Sequence, residues 1–309
     1  MKIYKPKFWD EKRVSFLLIL LWPISLLYNF FFSIKKSLIK SNTFSVPIIC
    51  VGNIYLGGTG KTPVCIKIYD MFKNNFKSVI IKKDYKKHYD EINLLKKYSK
   101  IILCKNRVEG IYKALNEKYN LLIFDDGYQD ISIKKNLNII CFNSKQKIGN
   151  GQTLPAGPLR EKLTSLKNCH IVMINGKKDL EFENQLKKYN FKVEIFYFQY
   201  QAEILDQFKN KKLIAFAGIG NPKNFFNTLK ENHLNVVKEV SFPDHHSFTE
   251  VELENLLDME KKYNAKLVTT EKDFCRISSI NRRKFSVIPI KVNIEEEQNF
   301  FNTIKKYLK

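Results

Sequence analysis

The chain has 309 residues, 44% of them hydrophobic, which suffices for a real core and excludes disorder as its general state. Its 53 Lys and Arg against 31 Asp and Glu leave a net charge of +22, favouring phosphorylated ligands, anionic membrane or nucleic acid as partners. That excess is mostly lysine spread along the chain, without an arginine-rich tract or RNP-like aromatic motif, so no nucleic-acid partner is expected.

Residues 14–32 carry no charge and are broken only by Ser15, Pro23, Ser25 and Asn29, with Lys12 and Arg13 before them and Lys35 and Lys36 after. As a helix rising about 1.5 Å per residue, the run would reach roughly 28 Å, borderline for a hydrocarbon core. No small-residue cleavage site follows, which argues against a removed signal peptide. Basic residues on both flanks give no orientation bias, and Pro23 would kink a continuous helix. We expect a helix embedded in one leaflet or a shallow kinked anchor; a single span and a helix packed on the protein's own core are the alternatives. Each lysine near an anionic leaflet adds about 1 kcal/mol of attachment.

From Ser45 onward, short β-branched runs alternate with amphipathic stretches, the pattern of βα units around a mainly parallel sheet. Strands are predicted at 46–51, 78–82, 101–104, 121–124, 138–142, 171–174 and 192–198, with helices at 61–73, 107–119 and 179–189. The six cysteines, Cys50, Cys65, Cys104, Cys141, Cys169 and Cys275, lie far apart without a C-x-x-C pair or nearby histidines. They read as buried thiols of a reducing compartment and not as zinc ligands. A long loop with Gly and Pro runs between Asn143 and Lys162, and such a loop inside a compact domain suggests function.

A second series begins near Lys211, with strands at 213–217, 236–240, 267–270 and 286–290. Its helices are predicted at 222–232 and 250–263, with a last one from Glu295. Asn221 before Pro222 reads as an N-cap with proline at the first helical position, and Thr249 with Glu252 as a capping box. The expected division is a membrane-associating region at 1–40, a phosphate-binding α/β domain at 41–203 and a smaller α/β domain at 204–309.

The strand Ile48-Ile49-Cys50-Val51 runs into Gly57-Gly58-Thr59-Gly60-Lys61-Thr62, which opens an amphipathic helix. There, backbone N–H groups and a helix N-terminus converge on phosphates, Lys61 reaches the β and γ groups, and the Thr62 hydroxyl holds Mg²⁺. Tyr55 stands where the first glycine of the usual pattern belongs. The partner signal is Leu121-Leu122-Ile123-Phe124-Asp125-Asp126, an apolar strand whose terminal carboxylates organise Mg²⁺ in such enzymes.

The surrounding residues narrow the choice. In order along the chain come Val51-Gly52-Asn53, the Gly-Gly-Thr-Gly-Lys-Thr-Pro run through Pro63, and Asp125-Asp126-Gly127-Tyr128-Gln129. They are followed by Leu154-Pro155-Ala156-Gly157-Pro158-Leu159-Arg160-Glu161, then Gly218-Ile219-Gly220-Asn221-Pro222 with Phe225-Phe226. Phe242-Pro243-Asp244-His245-His246 and Thr270-Glu271-Lys272-Asp273 complete the series. This series resembles that of the tetraacyldisaccharide 4'-kinases of lipid A assembly.

The resemblance implies transfer of the γ-phosphate of ATP, with Mg²⁺, to the 4'-hydroxyl of an acylated glucosamine disaccharide 1-phosphate. It places the chain peripherally or monotopically on the cytoplasmic face of the inner membrane of a Gram-negative-type cell, on an anionic surface. It also implies two α/β/α domains with the active site in the cleft between them, and an amino-terminal membrane-associating helix. The family's catalytic Asp, in a Gly-Asp-Glu segment, corresponds to Asp90 in Tyr89-Asp90-Glu91, and its histidine to His245. Arg107 and Arg160 fall where family arginines face phosphates or substrate. A secondary hydroxyl is a poor nucleophile at neutral pH, so a base helps by on the order of 10² to 10⁴.

Two departures stand out. The family's usual Ser-Arg-Gly-Tyr stretch is replaced by Lys82-Lys83-Asp84-Tyr85, leaving any role of that arginine absent or moved to a lysine; Asp130 replaces a frequent histidine. Gly218-Ile219-Gly220 lacks the third glycine of a dinucleotide fingerprint, because Lys223 occupies that position, and reads as a tight strand-to-helix turn. Rival readings are a GTP switch or transport ATPase, faintly suggested by Asn175-Gly176-Lys177-Lys178-Asp179, and a non-catalytic membrane or nucleic-acid binder. The oligomeric state is not legible; a monomer is slightly favoured.

Overall fold

A computed structural model describes residues 6–11, 15–85, 89–203 and 206–308; Lys12, Arg13 and Val14 at the start of the apolar run lie outside them. After a 3₁₀ turn at Lys7–Trp9 the elements are α1 (Phe16–Leu38), β1 (Ile48–Gly52), α2 (Lys61–Phe72), β2 (Ser78–Lys83), α3 (Tyr89–Tyr98), β3 (Ile101–Cys104) and α4 (Arg107–Asn116). Next come β4 (Leu121–Asp125), β5 (Leu137–Asn143), β6 (Ile171–Asn175), α5 (Leu180–Lys187), β7 (Glu194–Ala202), β8 (Lys212–Ala217) and α6 (Pro222–Glu231). The chain finishes with β9 (Asn235–Ser241), α7 (Glu250–Tyr263), β10 (Lys266–Thr269), α8 (Glu271–Arg276), β11 (Ser286–Val287), β12 (Ile290–Ile294) and α9 (Glu297–Lys306).

Two compact units result: one of residues 1–84, 99–199 and 294–309, the other of 85–98 and 200–293. The expected boundary near 204 is therefore incomplete in two places. Helix α9 returns to the first unit, where Phe301 stacks on Phe72 at 4.7 Å and Lys67 pairs with Glu297 at 2.7 Å. Helix α3, absent from the predicted elements, belongs to the second unit although it precedes β3 in the chain.

The first unit carries an eight-stranded sheet in the order β12-β7-β6-β5-β1-β4-β2-β3, and the chain crosses between the units within β7 and β12. From β3 to β7 every neighbouring pair is parallel. Strands β1 and β4 are buried at every position, because helices cover both faces of such a sheet and their sequences must be continuously apolar. Val51 lies opposite Asp125 in the β1–β4 register, which sets the end of β4 beside the start of the glycine loop.

The second unit has a four-stranded parallel sheet, β11-β10-β8-β9. Successive side chains of β8 point to opposite faces, so Leu213, Ala215 and Ala217 join one core with Phe225, Phe226 and Leu229 of α6. Ile214 and Phe216 join the other with Leu253 and Leu256 of α7. The Thr249–Glu252 capping box forms as expected, whereas Asn221 makes no side-chain cap bond before Pro222.

Helix α1 shows how the long loop is used. Ser25 Oγ donates to Thr153 O (2.9 Å) and accepts from Ala156 N (2.9 Å), Asn29 Nδ2 donates to Thr153 Oγ1 (2.8 Å), and Tyr28 OH donates to Arg160 O (2.9 Å). Lys36 reaches Glu161 at 3.6 Å. Positions 25, 28, 29 and 36 share one helical face, so the few polar residues of the run dock the helix lengthwise on its own unit. The other face leaves Leu20, Leu27, Phe30 and Phe31 each 58–65% exposed, and only 11% of the apolar window is buried. A helix packed into the protein's core is thereby excluded.

Candidate active site

The glycine loop forms the turn its composition dictates. Gly57 and Gly60 have φ of +135° and +94°, a region side-chain-bearing residues rarely adopt, and Gly60 caps α2 so that Lys61 is its first residue. Asn53 staples the loop from inside: its Nδ2 donates to Tyr55 O (2.5 Å), Gly57 O (3.2 Å) and Thr59 Oγ1 (3.0 Å). Tyr55, in place of the usual glycine, is buried and donates its hydroxyl to Asp10 Oδ1 (2.6 Å).

Two carboxylates face this loop. Thr62 Oγ1 donates to Asp125 Oδ2 at 3.0 Å, and Lys61 Nζ lies 3.7 Å from Asp126 Oδ1. Arg160 Nη1 donates to both Asp126 oxygens, at 3.0 and 3.2 Å. Burial pushes the Asp126 carboxyl up, but Lys61, Arg160 and Lys82 outweigh it and hold the group below the usual carboxylate range. Thr62 and Asp125 present a hydroxyl and a carboxylate oxygen, hard donors that suit Mg²⁺ when nucleotide phosphates complete its shell.

Arg107 departs from its expected place. It is 3% exposed, and its guanidinium is taken up by the carbonyls of Asp125 (3.1 Å) and Asp126 (2.7 Å) and by Asp130 Oδ2 (3.1 Å). It braces the end of β4 instead of presenting a cation to phosphate, and Asp130, which replaces the family's histidine, is its counter-ion.

Lys82, offered by the sequence only as a stand-in for a missing arginine, pairs with Asp125 Oδ2 at 2.5 Å, both side chains buried. A lysine inside the otherwise apolar strand Ile80-Ile81-Lys82 is a readable signal, since a buried ammonium requires a partner. Lys82→Met should destabilise the protein by about 3–5 kcal/mol, because Asp125 would remain as an uncompensated buried charge. Urea unfolding measures this; a loss under about 1 kcal/mol would mean that Thr62 and the α2 N-terminus suffice for Asp125.

In the second unit, α3 and the loop between β9 and α7 carry the other predicted pair, and α8 brings Arg276 to it. Asp90 is 3% exposed, with Oδ1 3.5 Å from His245 Nδ1 and Oδ2 2.5 Å from Arg276 Nη2. Burial alone would raise the Asp90 carboxyl; the His245 hydrogen bond and the charges of Arg276 and Lys272 reverse this and hold it far below the usual range. The same hydrogen bond leads in raising His245, opposed by burial and by Arg276. His245 adopts φ of +55°, its N–H capped by Asp244 Oδ1 at 3.0 Å. His246 is structural: it pairs with Glu252 at 2.9 Å and stacks on Phe242 at 4.9 Å.

Other quoted motifs also resolve into scaffold. Gly52 lies against Tyr128, where a Cβ would come within 2.5 Å of the Tyr128 Cβ. Gln129 Nε2 donates to Asn53 O (2.9 Å) and Glu161 Oε1 (3.0 Å). Asp179 caps α5 through Phe182 N and pairs with Lys147 at 2.6 Å, which gives the Asn175–Asp179 segment a structural explanation. Five cysteines are buried and Cys275 is half-buried, all as free thiols.

A strand–glycine loop–helix unit with Lys61 and Thr62 set against the acidic end of the neighbouring parallel strand defines the P-loop class of phosphate-transferring proteins. Within that class the chain matches the family described as tetraacyldisaccharide-1-P 4'-kinase over residues 17–309. It is 39% identical to a tetraacyldisaccharide 4'-kinase of Pelagibacter ubique across 99% of this chain and 98% of the relative. A Rickettsia felis protein of the same name is 33% identical across 91% and 90% of the two chains. The protein belongs to the tetraacyldisaccharide 4'-kinase family. The crystal structure of LpxK from Aquifex aeolicus in complex with ATP shares its fold, with a TM-score of 0.71 at 24% identity over 95% of this chain and 100% of that one.

Proposed function

We propose that the protein transfers the γ-phosphate of ATP to the 4'-hydroxyl of an acylated glucosamine disaccharide 1-phosphate. The observation that carries this reading is the Thr62–Asp125 and Lys61–Asp126 arrangement, found in a chain of this kinase family. The loop amides and the α2 N-terminus bind the triphosphate, and Lys61 and Arg160 neutralise charge on the transferring group. Thr62 and Asp125, with Asp126 beside them, would hold Mg²⁺, which supplies charge neutralisation across the phosphates when bound. The sugar O–H bond breaks as its oxygen bonds to the γ-phosphorus. The proton passes to Asp90, with His245 orienting or sharing it, and the bond to ADP breaks.

The apolar face of α1 supports a site of action at a lipid surface. A helix docked lengthwise through Ser25, Tyr28, Asn29 and Lys36 lies in one leaflet, and the +22 net charge suits the anionic cytoplasmic face of an inner membrane.

The test is transfer of label from γ-labelled ATP to a panel of acylated glucosamine disaccharide 1-phosphates presented in anionic vesicles. Label should appear at the 4' position and depend on Mg²⁺. A Leu27→Glu/Phe31→Glu double variant should bind vesicles at least about tenfold more weakly, because each side chain contributes roughly 1.5–3 kcal/mol when buried. Label in no member of the panel would reject the substrate, and unchanged vesicle binding would reject the role of α1.

A further inference from the structure

The Thr270–Asp273 motif carries no role in the reading above, yet α8 is fastened along α3. Lys97 and Tyr98 reach Glu271 at 2.5 and 2.6 Å, Lys272 reaches Glu91 at 3.2 Å, and Arg276 reaches Asp90 at 2.5 Å. Arg276 is itself fixed. Its Nη1 donates to Gly218 O (2.7 Å) and to Asp273 Oδ1 (2.9 Å). Asp273 is fully buried and accepts from the Thr270 hydroxyl at 2.7 Å. Thr270, Asp273 and Arg276 thus form one chain of contacts from the α8 cap to Asp90.

The second guanidinium contact carries chemical information. Arg276 Nη2 lies 3.2 Å from His245 Nδ1. A guanidinium has donors only, so a neutral His245 accepts there and carries its proton on Nε2. Protonation of Nδ1 would place two cations side by side, and Asp90 Oδ1, 3.5 Å away, would be the group favouring it.

We propose that Arg276 is the positioning residue of the proton-handling pair. It grips Asp90 by Oδ2 and turns Oδ1 toward His245. It also holds the neutral imidazole in its Nε2–H form, which leaves the Asp90 carboxylate as the group that receives the hydroxyl proton, with His245 orienting it. This rests on the assignment of Asp90 and His245 to proton transfer. The charged groups facing the pair are Asp244 beside His245, and Lys272, Asp273 and Arg276 from α8; Glu91, on the helix of Asp90, is engaged by Lys272. Of these, Arg276 alone contacts both Asp90 and His245 among the described residues.

The experiment is a pH series of kcat and KM for Arg276→Gln, Arg276→Lys, Asp90→Asn and the Arg276→Gln/Asp90→Asn double variant, with thermal unfolding of each. Arg276→Gln should lower kcat by about 10²-fold through misplacement of the base, with KM for ATP within about twofold. Its acid limb should move toward neutral pH, because the carboxylate has lost a cation. Arg276→Lys keeps the charge but not the fork, so kcat should fall by about tenfold with the acid limb unmoved. In the Asp90→Asn background, Arg276→Gln should remove little more. Wild-type kcat and acid limb in Arg276→Gln, or a wild-type rate in Arg276→Lys, would overturn the proposal, as would a full additional loss in the double variant. If Arg276→Gln loses its cooperative unfolding transition, the Arg276→Lys rate decides. A wild-type rate in Asp90→Asn alone would instead sink the underlying assignment.

Discussion

Asp90→Asn should lower kcat by about 10² to 10⁴-fold while leaving ATP binding nearly unchanged. The substitution keeps the shape of the side chain and one oxygen for Arg276 but removes the carboxylate that takes the hydroxyl proton. Asp90 stands on α3 in the second unit, whereas the glycine loop and its acids stand in the first, so nucleotide affinity and proton transfer should separate cleanly. His245→Ala should also depress kcat more than it changes ATP affinity, with Asp90 still present as acceptor. Single-turnover transfer and equilibrium nucleotide binding measure the two effects. Equal losses in both would assign Asp90 to holding the second unit together through Arg276, and an unchanged kcat in His245→Ala would remove that ring from the mechanism.

Lys61→Ala should reduce transfer by about 10² to 10³-fold with the fold intact. The ammonium sits at the first residue of α2, beside a left-handed glycine and 3.7 Å from Asp126, where the loop amides converge. Charge building on the transferring phosphoryl group is best met by a fixed cation, and Asp126 keeps that cation placed before nucleotide arrives. The Lys61–Asp126 pair is too loose to matter much for stability, so thermal unfolding should hardly change while the rate collapses. A transfer rate within about threefold of wild type would refute the phosphate role.

Comparison of the two halves shows what each level of information carries. Strands β1, β2, β4 and β8, the glycine turn, the start of α2 and the α7 capping box were legible because each depends on residues within one or two turns of each other. Continuous apolar runs specify strands covered on both faces, and glycine spacing specifies a turn with positive φ. The short helices α3 and α8 escaped notice because six to ten residues give little periodicity, and contacts between them stabilise them more than propensity does. The predicted strand at 286–290 is divided between β11 and β12 for a similar reason: two elements meet in a span too short to separate by pattern.

The sequence by itself determined the two α/β units, the phosphate loop with its acidic partner strand, and the apolar helix, since periodicity and composition are local properties of the chain. Tertiary structure alone decided where the long cationic side chains ended. Arg107 turned inward to the β4 carbonyls, Lys82 to Asp125, and Arg276 to an aspartate 186 residues away. The physical reason is that a charge's energy depends on its burial and on the few groups within hydrogen-bond reach. Those neighbours come from distant segments that only the folded chain brings together.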